Sequence, residues 1–323
     1  MVLTMFVGMN KLDTKTRAQI LHMLVEGNSM RSVSRMTGVS INTVTKLLID
    51  AGKVCAAHHS RTVQNVTSKR VQCDEIWSFN YAKQKNVKAA KAAPQWAGDV
   101  WTWTAIDADT KLMVSYMVGD RSAQAASEFM HDVAYRLANR VQLTTDGHAA
   151  YLIGVEAGFG ADVDYAQLVK IYGTAPQGPQ TRYSPAECIG AKQVPVMGSP
   201  DPAHISTSYV ERANLSIRMG NRRFTRLTNA FSKKIDHHVF MLALYFTFYN
   251  FCRIHKTLRV TPAMAAGIDS TVHDMDWIVG MIDEVAPKPV RPLRYKQPKA
   301  IDTADFLNTG VSLDMADARK PRG

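Results

Sequence analysis

The sequence predicts a mixed α/β fold, with the sheet-based domain preceded by a small all-α domain, and three observations predict it. Apolar residues recur at helical spacing from about residue 14 to residue 50. From Val71 the apolar runs become short, β-branched and aromatic, and are bounded by turn residues. After residue 120 such runs alternate with helical stripes. The expected divisions are 10–52 for the all-α domain, 53–70 for a basic linker, 71–268 for the sheet domain, and 269–323 for a C-terminal helix and extended basic tail.

The first helix, about Thr14 to Glu26, buries Ile20, Leu21, Leu24 and Val25 and ends at Gly27. A second spans about Met30 to Met36. Gly38 then supplies a turn, and Ser40 is placed to cap a third helix that buries Ile41, Val44, Leu47 and Leu48. Small Ser34 where two helices touch, and Gly38 at the turn, make this a helix-turn-helix arrangement. Asn42, Thr43 and Lys46, with Ser40 at the helix start, form the expected recognition surface, because these side chains suit base edges and phosphates in a major groove. A trihelical protein-binding bundle has the same periodicity and stays open as a reading.

In the larger part, a strand over about 71–81 leads through the insert "AKQKNVKAAKAAPQWAGD" to "VWTWTAID", a turn, and a third strand "KLMVSYMVG". Ala126, Phe129, Met130, Val133 and Leu137 then mark a packing helix between about Ser122 and Arg140. The short strand "VQLTTD" ends in Asp146, and "YAQLVKIYG" forms another strand after a short helix. The order β-β-β-α-β-α-β-α is that of a ribonuclease-H-like fold, in which a first-strand Asp74 and a fourth-strand Asp146 sit side by side if those strands are neighbours. The Pro/Gly-rich stretch 173–205 reads as a long loop near DNA.

"VQCDEIWSFN" places two adjacent carboxylates in an apolar strand, where an unpaired carboxylate is costly unless it neutralises, finds a partner or binds a metal. Alternation puts Asp74 on one face with Gln72 and Ile76, and Glu75 on the other with Cys73 and Trp77, so at most one of the pair is expected to face a given site. Glu75 on a solvated face, with Asp74 in a structural hydrogen bond, is the simpler alternative. In "HISTSYVERANLSIRMGNRRF", Glu211, Asn214 and Arg218 at i, i+3 and i+7 share one helix face. An amphipathic surface helix produces the same pattern. Asp107 and Asp109 in "IDADT" read as turn acids. His148 is expected either beside scissile DNA or bonded at a helix start, and His237 and His238 are expected in core or helix-surface packing.

These residues carry a resemblance. "CDEIWSF", "TTDGHAAY", "YVERANLSIR" and "YNFCRIHKTLRVTPAMAAGI" resemble, in order, the blocks of a DDE transposase, most similar to the insertion-sequence-one family of bacterial mobile elements, over about residues 68–268. The resemblance implies Asp74, Asp146 and Glu211 as catalytic, metal-binding acids holding two Mg²⁺ ions, with Mn²⁺ able to substitute. It also implies cleavage that frees a 3′-hydroxyl at the element end, followed by attack of that hydroxyl on target DNA. Asn214, Arg218, His148, Arg222 and Arg223 are then expected near the phosphates of the active site, with Arg226 continuing the basic cluster and lysines 83, 85, 88 and 91 on the backbone. The N-terminal cysteine zinc finger often found in the family is absent.

Composition agrees with a polyanionic partner: 39 Lys and Arg against 28 Asp and Glu leave +11. The expected partner is double-stranded DNA, both element ends and target, bound by a homodimer or larger assembly, since two ends must be paired. The four cysteines, Cys55, Cys73, Cys188 and Cys252, form no metal-binding spacing and fit a reducing cytoplasm. No export signal or membrane span is expected. Two rivals remain: a helix-turn-helix regulator whose acids are dispensable, and a ribonuclease-H-like nuclease that cleaves without joining.

Overall fold

The computed structural model describes residues 11–174, 186–225 and 229–287. Three helices open it: α1 (Thr14–Val25), α2 (Met30–Thr37) and α3 (Ile41–Thr62). Asp13 and Ser29 cap the first two by accepting from Thr16 and Ser32 amides, and Gly38, at φ 70°, ends α2. Ser40 accepts from the Asn42 amide at 3.3 Å and starts α3, and Ser34 Oγ donates to the Val39 carbonyl at 2.7 Å across the turn. Ile41 is 38% exposed, contrary to the expectation of burial, because it occupies the first turn, ahead of the stripe Val44, Leu47 and Leu48 that faces the core.

The expected linker is corrected over its first ten residues. α3 continues through 53–62 and buries Val54, Cys55 and His59, so apolar positions at helical spacing persist inside a stretch whose surface is basic. At Gly52 α3 touches α8 (Ile235–Thr247), which follows the sheet: a Cβ there would lie 2.3 Å from Phe240 Cβ and 2.7 Å from the Phe240 carbonyl oxygen. Only glycine lets the two helices approach so closely. At the other end of the bundle Gly27, at φ 79°, comes so near α7 (Ser208–Gly220) that a Cβ would meet the Met219 carbonyl oxygen at 2.6 Å.

The sheet has six strands, β1 (Arg70–Asn80), β2 (Gly98–Asp107), β3 (Met113–Gly119), β4 (Gln142–Asp146), β5 (Asp164–Tyr172) and β6 (Cys188–Met197), in the order β3-β2-β1-β4-β5-β6. β1 to β3 form an antiparallel meander, β4 and β5 join β1 in parallel, and β6 returns antiparallel to β5. The first five strands match the expected order, and the mixed sheet is consistent with a ribonuclease-H-like arrangement. β6 is a correction: part of the stretch read as a loop, 173–205, is a strand whose residues are mostly exposed, so its apolar pattern was not visible. Residues 175–185 of that stretch, Arg226, and the tail from 288 lie outside the described residues.

One face of the sheet packs Val71, Cys73, Trp103 and Ala105 against α5 (Ala123–Arg136) and α6 (Ala150–Phe159). The other packs Ile76, Ile106 and Met113 against α7, α8, α10 (Met275–Val285) and the amino-terminal helices in one continuous core. Short helices among the described residues include α4 (Gln84–Val87) in the lysine-bearing insert and α9 (Pro262–Ala265). Among the described residues the 22-residue α3 is the longest helix, and none is long and apolar enough to cross a membrane.

Candidate active site

β1 and β4 pair from Arg70↔Gln142 to Cys73↔Thr145, where β4 runs out one residue later at Asp146. β1 continues to Asn80, so between Asp74 and the bridge from Asn80 to Ser232 no strand among the described residues pairs with its edge toward β4. The parallel strands therefore leave a notch at their carboxyl ends, where sites in such sheets collect. Asp74, Glu75 and Asp146 converge there: one carboxylate oxygen from each lies within 4.8 Å of the others.

This corrects the expectation that only one of the adjacent acids can face the site. Alternation does send Glu75 toward α5 and α6, and its side chain is 1% exposed rather than solvated. Beyond the end of β4, however, no strand separates the two faces, and side chains leaving β1 in opposite directions can meet around Asp146. Arg121 donates to Glu75 Oε1 through Nε at 2.7 Å, its guanidinium lying 4.6 Å from the Trp101 ring centroid, and Tyr151 Oη donates to Glu75 Oε2 at 3.0 Å. Asp74 Oδ1 accepts from the Glu75 amide at 2.9 Å and Oδ2 from Asn214 Nδ2 at 2.8 Å. The Thr104 hydroxyl, opposite Asp74 on β2, is 3.0 Å from the Asp74 carbonyl and 3.4 Å from Asn214 Oδ1.

Packing three carboxylates together is electrostatically unfavourable without a cation. Burial, then the charges of Glu75 and Asp146, push the Asp74 carboxyl up to about 7. Burial and the Asp146 charge likewise raise Glu75, against Arg121. Hard oxygen donors at this spacing fit a divalent cation such as Mg²⁺ or Mn²⁺, and the repulsion is the kind that a bound cation removes.

Glu211, the expected third acid, is not among the converging carboxylates. It lies in the first turn of α7, where Thr207 Oγ1 donates to its Oε1 at 2.5 Å and Lys170 Nζ from β5 pairs with the same oxygen at 2.7 Å. The predicted shared face is present: Asn214 is buried toward Asp74, and Glu211 and Arg218 are half-buried on either side of it. His148 donates its amide to Asp146 Oδ1 at 3.0 Å, and its ring packs 6.1 Å from both Trp103 and Tyr151 with Nε2 buried. Arg223 is likewise half-buried and donates through Nε to Ser232 Oγ at 3.1 Å, and Arg222 is half-buried. Lysines 83, 85, 88 and 91 are exposed in the insert, and Asn42, Thr43 and Lys46 are exposed on α3.

The groups expected to be structural are so. Asp107 Oδ1 accepts from the Asp109 and Thr110 amides, and Asp109 pairs with Arg70. Buried His238 has its ring pushed down to about 3 by burial. Sequence reasoning missed four groups, Gln72, Arg121, Tyr151 and Lys170. Only Gln72, a polar residue two before Asp74 on the same strand face, left a trace in the pattern.

No protein-family model and no curated protein sequence matches the chain. Among solved structures, similarity extends to a Mos1 transposase paired-end complex with the left transposon end, at 12% identity over 49% of this chain and 60% of that one, with a TM-score of 0.22. It extends also to a Mos1 mariner paired-end complex with Mn, at 11% identity over 74% of this chain and 77% of that one, with a TM-score of 0.26. The chain thus spans less than two thirds of the first of these. TM-scores in this range do not establish a common fold, and what defines the site is the strand order and the carboxylates that it brings together.

Proposed function

We propose that the chain is a DNA transposase of a bacterial insertion sequence, a DDE-type polynucleotidyl transferase using Asp74, Asp146 and Glu211. The observation that carries this reading is the convergence of Asp74 and Asp146 at the open ends of parallel β1 and β4, with the Glu211-bearing helix bonded to Asp74 through Asn214. Two divalent cations held by these acids, Mg²⁺ or Mn²⁺, would neutralise charge growing on a scissile phosphate and activate the attacking oxygen.

The chain's own residues do the rest. Asn214 and the Glu75 amide orient Asp74, and the His148 amide orients Asp146. Arg218, Arg222 and Arg223, following Glu211, and the exposed insert lysines provide positive charge for the DNA backbone. Ser40, Asn42, Thr43 and Lys46 of α3 form the helix-turn-helix surface that reads the terminal repeats, and pairing of two ends calls for a homodimer or larger assembly on double-stranded DNA. The site of action is the cytoplasm, on the nucleoid.

The test is a cleavage and joining assay with full-length protein, Mg²⁺ and a labelled duplex ending in the element's own terminal repeat. End nicking and joined products, both lost in Asp146→Asn, are expected. Tight binding with no metal-dependent product would overturn the enzyme reading in favour of a regulator, and cleavage without joining would favour a nuclease.

A further inference from the structure

At the start of the acid-bearing helix α7 the Ser206 hydroxyl accepts from the Ser208 amide at 3.2 Å, but the next two amides have no acceptor on the helix itself. Thr207, at the N-cap position, donates its hydroxyl to Glu211 instead of accepting from the helix amides. Those amides are met from β1: Gln72 Oε1 accepts from the Tyr209 amide at 2.8 Å and the Val210 amide at 3.2 Å. Gln72 is 4% exposed, and an unmet buried amide is costly. Two residues further along the same face of β1, Asp74 holds Asn214, which is 5% exposed.

The two contacts rise together, so α7 runs along β1 in the same direction. Their spacings also agree. Two strand residues advance about 6.7 Å, and the four or five helical residues from Tyr209 and Val210 to Asn214 advance about 6–7.5 Å. A slip of α7 by one turn, about 5.4 Å, breaks both contacts at once. Glu211 lies between them in sequence, one residue after the Gln72 contact.

We propose that Gln72 is a positioning residue for the divalent-cation site: by capping α7 from β1, it fixes the height at which Glu211 stands against Asp74. The inference rests on the reading of the acids as a cation site. Without Gln72, α7 is tied to β1 in this region through Asp74 itself, and the height of Glu211 is left to its pair with Lys170 on β5 and to the packing of Val210. Gln72 acts through Glu211 and touches neither cation nor DNA.

The experiment is Mn²⁺ binding to the full chain, read from the EPR signal of free Mn²⁺. Gln72→Met keeps the volume and removes the acceptor; binding is expected to weaken about tenfold, as for residues that orient metal ligands. In a Glu211→Gln background, the same change is expected to add nothing, because Gln72 acts through Glu211. Gln72→Glu, which keeps an acceptor oxygen, is expected to stay within about threefold of wild type. Should Gln72→Met fail to fold by circular dichroism, Tyr209→Pro removes the 2.8 Å bond in the first helical turn, where proline is tolerated, and carries the same comparison. Equal losses in both backgrounds, or none in either, overturn the inference while leaving the cation site standing. Absence of Mn²⁺ binding by the wild type overturns the reading of the site, and the inference with it.

Discussion

Asp74→Asn should make the metal-free protein more stable, and the size of the effect follows from the site. In the folded chain the Asp74 carboxyl is raised from 3.8 to about 7, by burial first and then by Glu75 and Asp146. A raised carboxyl favours the folded state when protonated, so its contribution is intact below the unfolded value and is lost as pH rises through the folded one. At about 1.4 kcal/mol per pH unit the loss reaches roughly 4 kcal/mol by pH 8 and is about 1 kcal/mol at pH 4.5. Asparagine removes that cost but can satisfy only one of the two donors now on Asp74, Asn214 Nδ2 and the Glu75 amide, a loss of about 1 kcal/mol. The variant should therefore be more stable than wild type by about 3 kcal/mol at pH 8 and about equal at pH 4.5. At about 2.1 cal/mol/K of unfolding entropy per residue, that is about 4–5 °C in Tm at pH 8 for a chain of 323 residues. Thermal unfolding with EDTA at both pH values measures it. Adding Mg²⁺ should then raise the wild type by about 3 kcal/mol at a hundredfold excess over Kd and leave the variant unmoved. A wild type as stable as the variant at pH 8 in EDTA, or equal stabilisation of both by Mg²⁺, would refute the argument that the carboxylates are held together against repulsion.

Arg121→Ala should destabilise by about 2–4 kcal/mol in urea unfolding, because Glu75 stays buried without its cation. Adding Glu75→Gln should recover most of that loss. Gly52→Ala gains about 1 kcal/mol of helix propensity but places a methyl 2.3 Å from Phe240 Cβ, so net destabilisation of about 2 kcal/mol or more is expected from the same measurement. Replacing lysines 83, 85, 88 and 91 with glutamine should reduce the slope of log binding constant against log salt by up to about 4, read by fluorescence anisotropy on a duplex. An unchanged slope would remove the insert from the DNA interface.

The sequence makes the sheet legible because β1, β2 and β3 are β-branched and aromatic runs bounded by turns, and their observed ends fall within about two residues of the pattern. Asp146 at the end of β4 was legible for the same reason. β6 was not, since its residues are mostly exposed and its Gly190 and Pro195 mimic a loop. The helical extension to Thr62 was hidden because its buried residues, Val54, Cys55 and His59, are too few to outweigh the basic surface around them. Glu75 was assigned to the wrong place because period-two alternation describes a strand with neighbours on both sides, and β1 has lost β4 at that point. The Lys170–Glu211 pair joins residues 41 apart on different elements, and nothing local encodes it.

The contact at Gly27 fixes the distance between the amino-terminal helices and the carboxylate notch. The end of α1 rests backbone to backbone on the end of α7, and α3 is clamped to α8 at Gly52. The amino-terminal helices are therefore packed into the body that carries the carboxylate notch rather than joined to it by a tether. Were α3 to grip a duplex as proposed, that duplex would meet the acids at a set number of base pairs; inserting residues into the α3–β1 connection should then do little to the offset, whereas widening the Gly52 or Gly27 contact should shift the position of the cut.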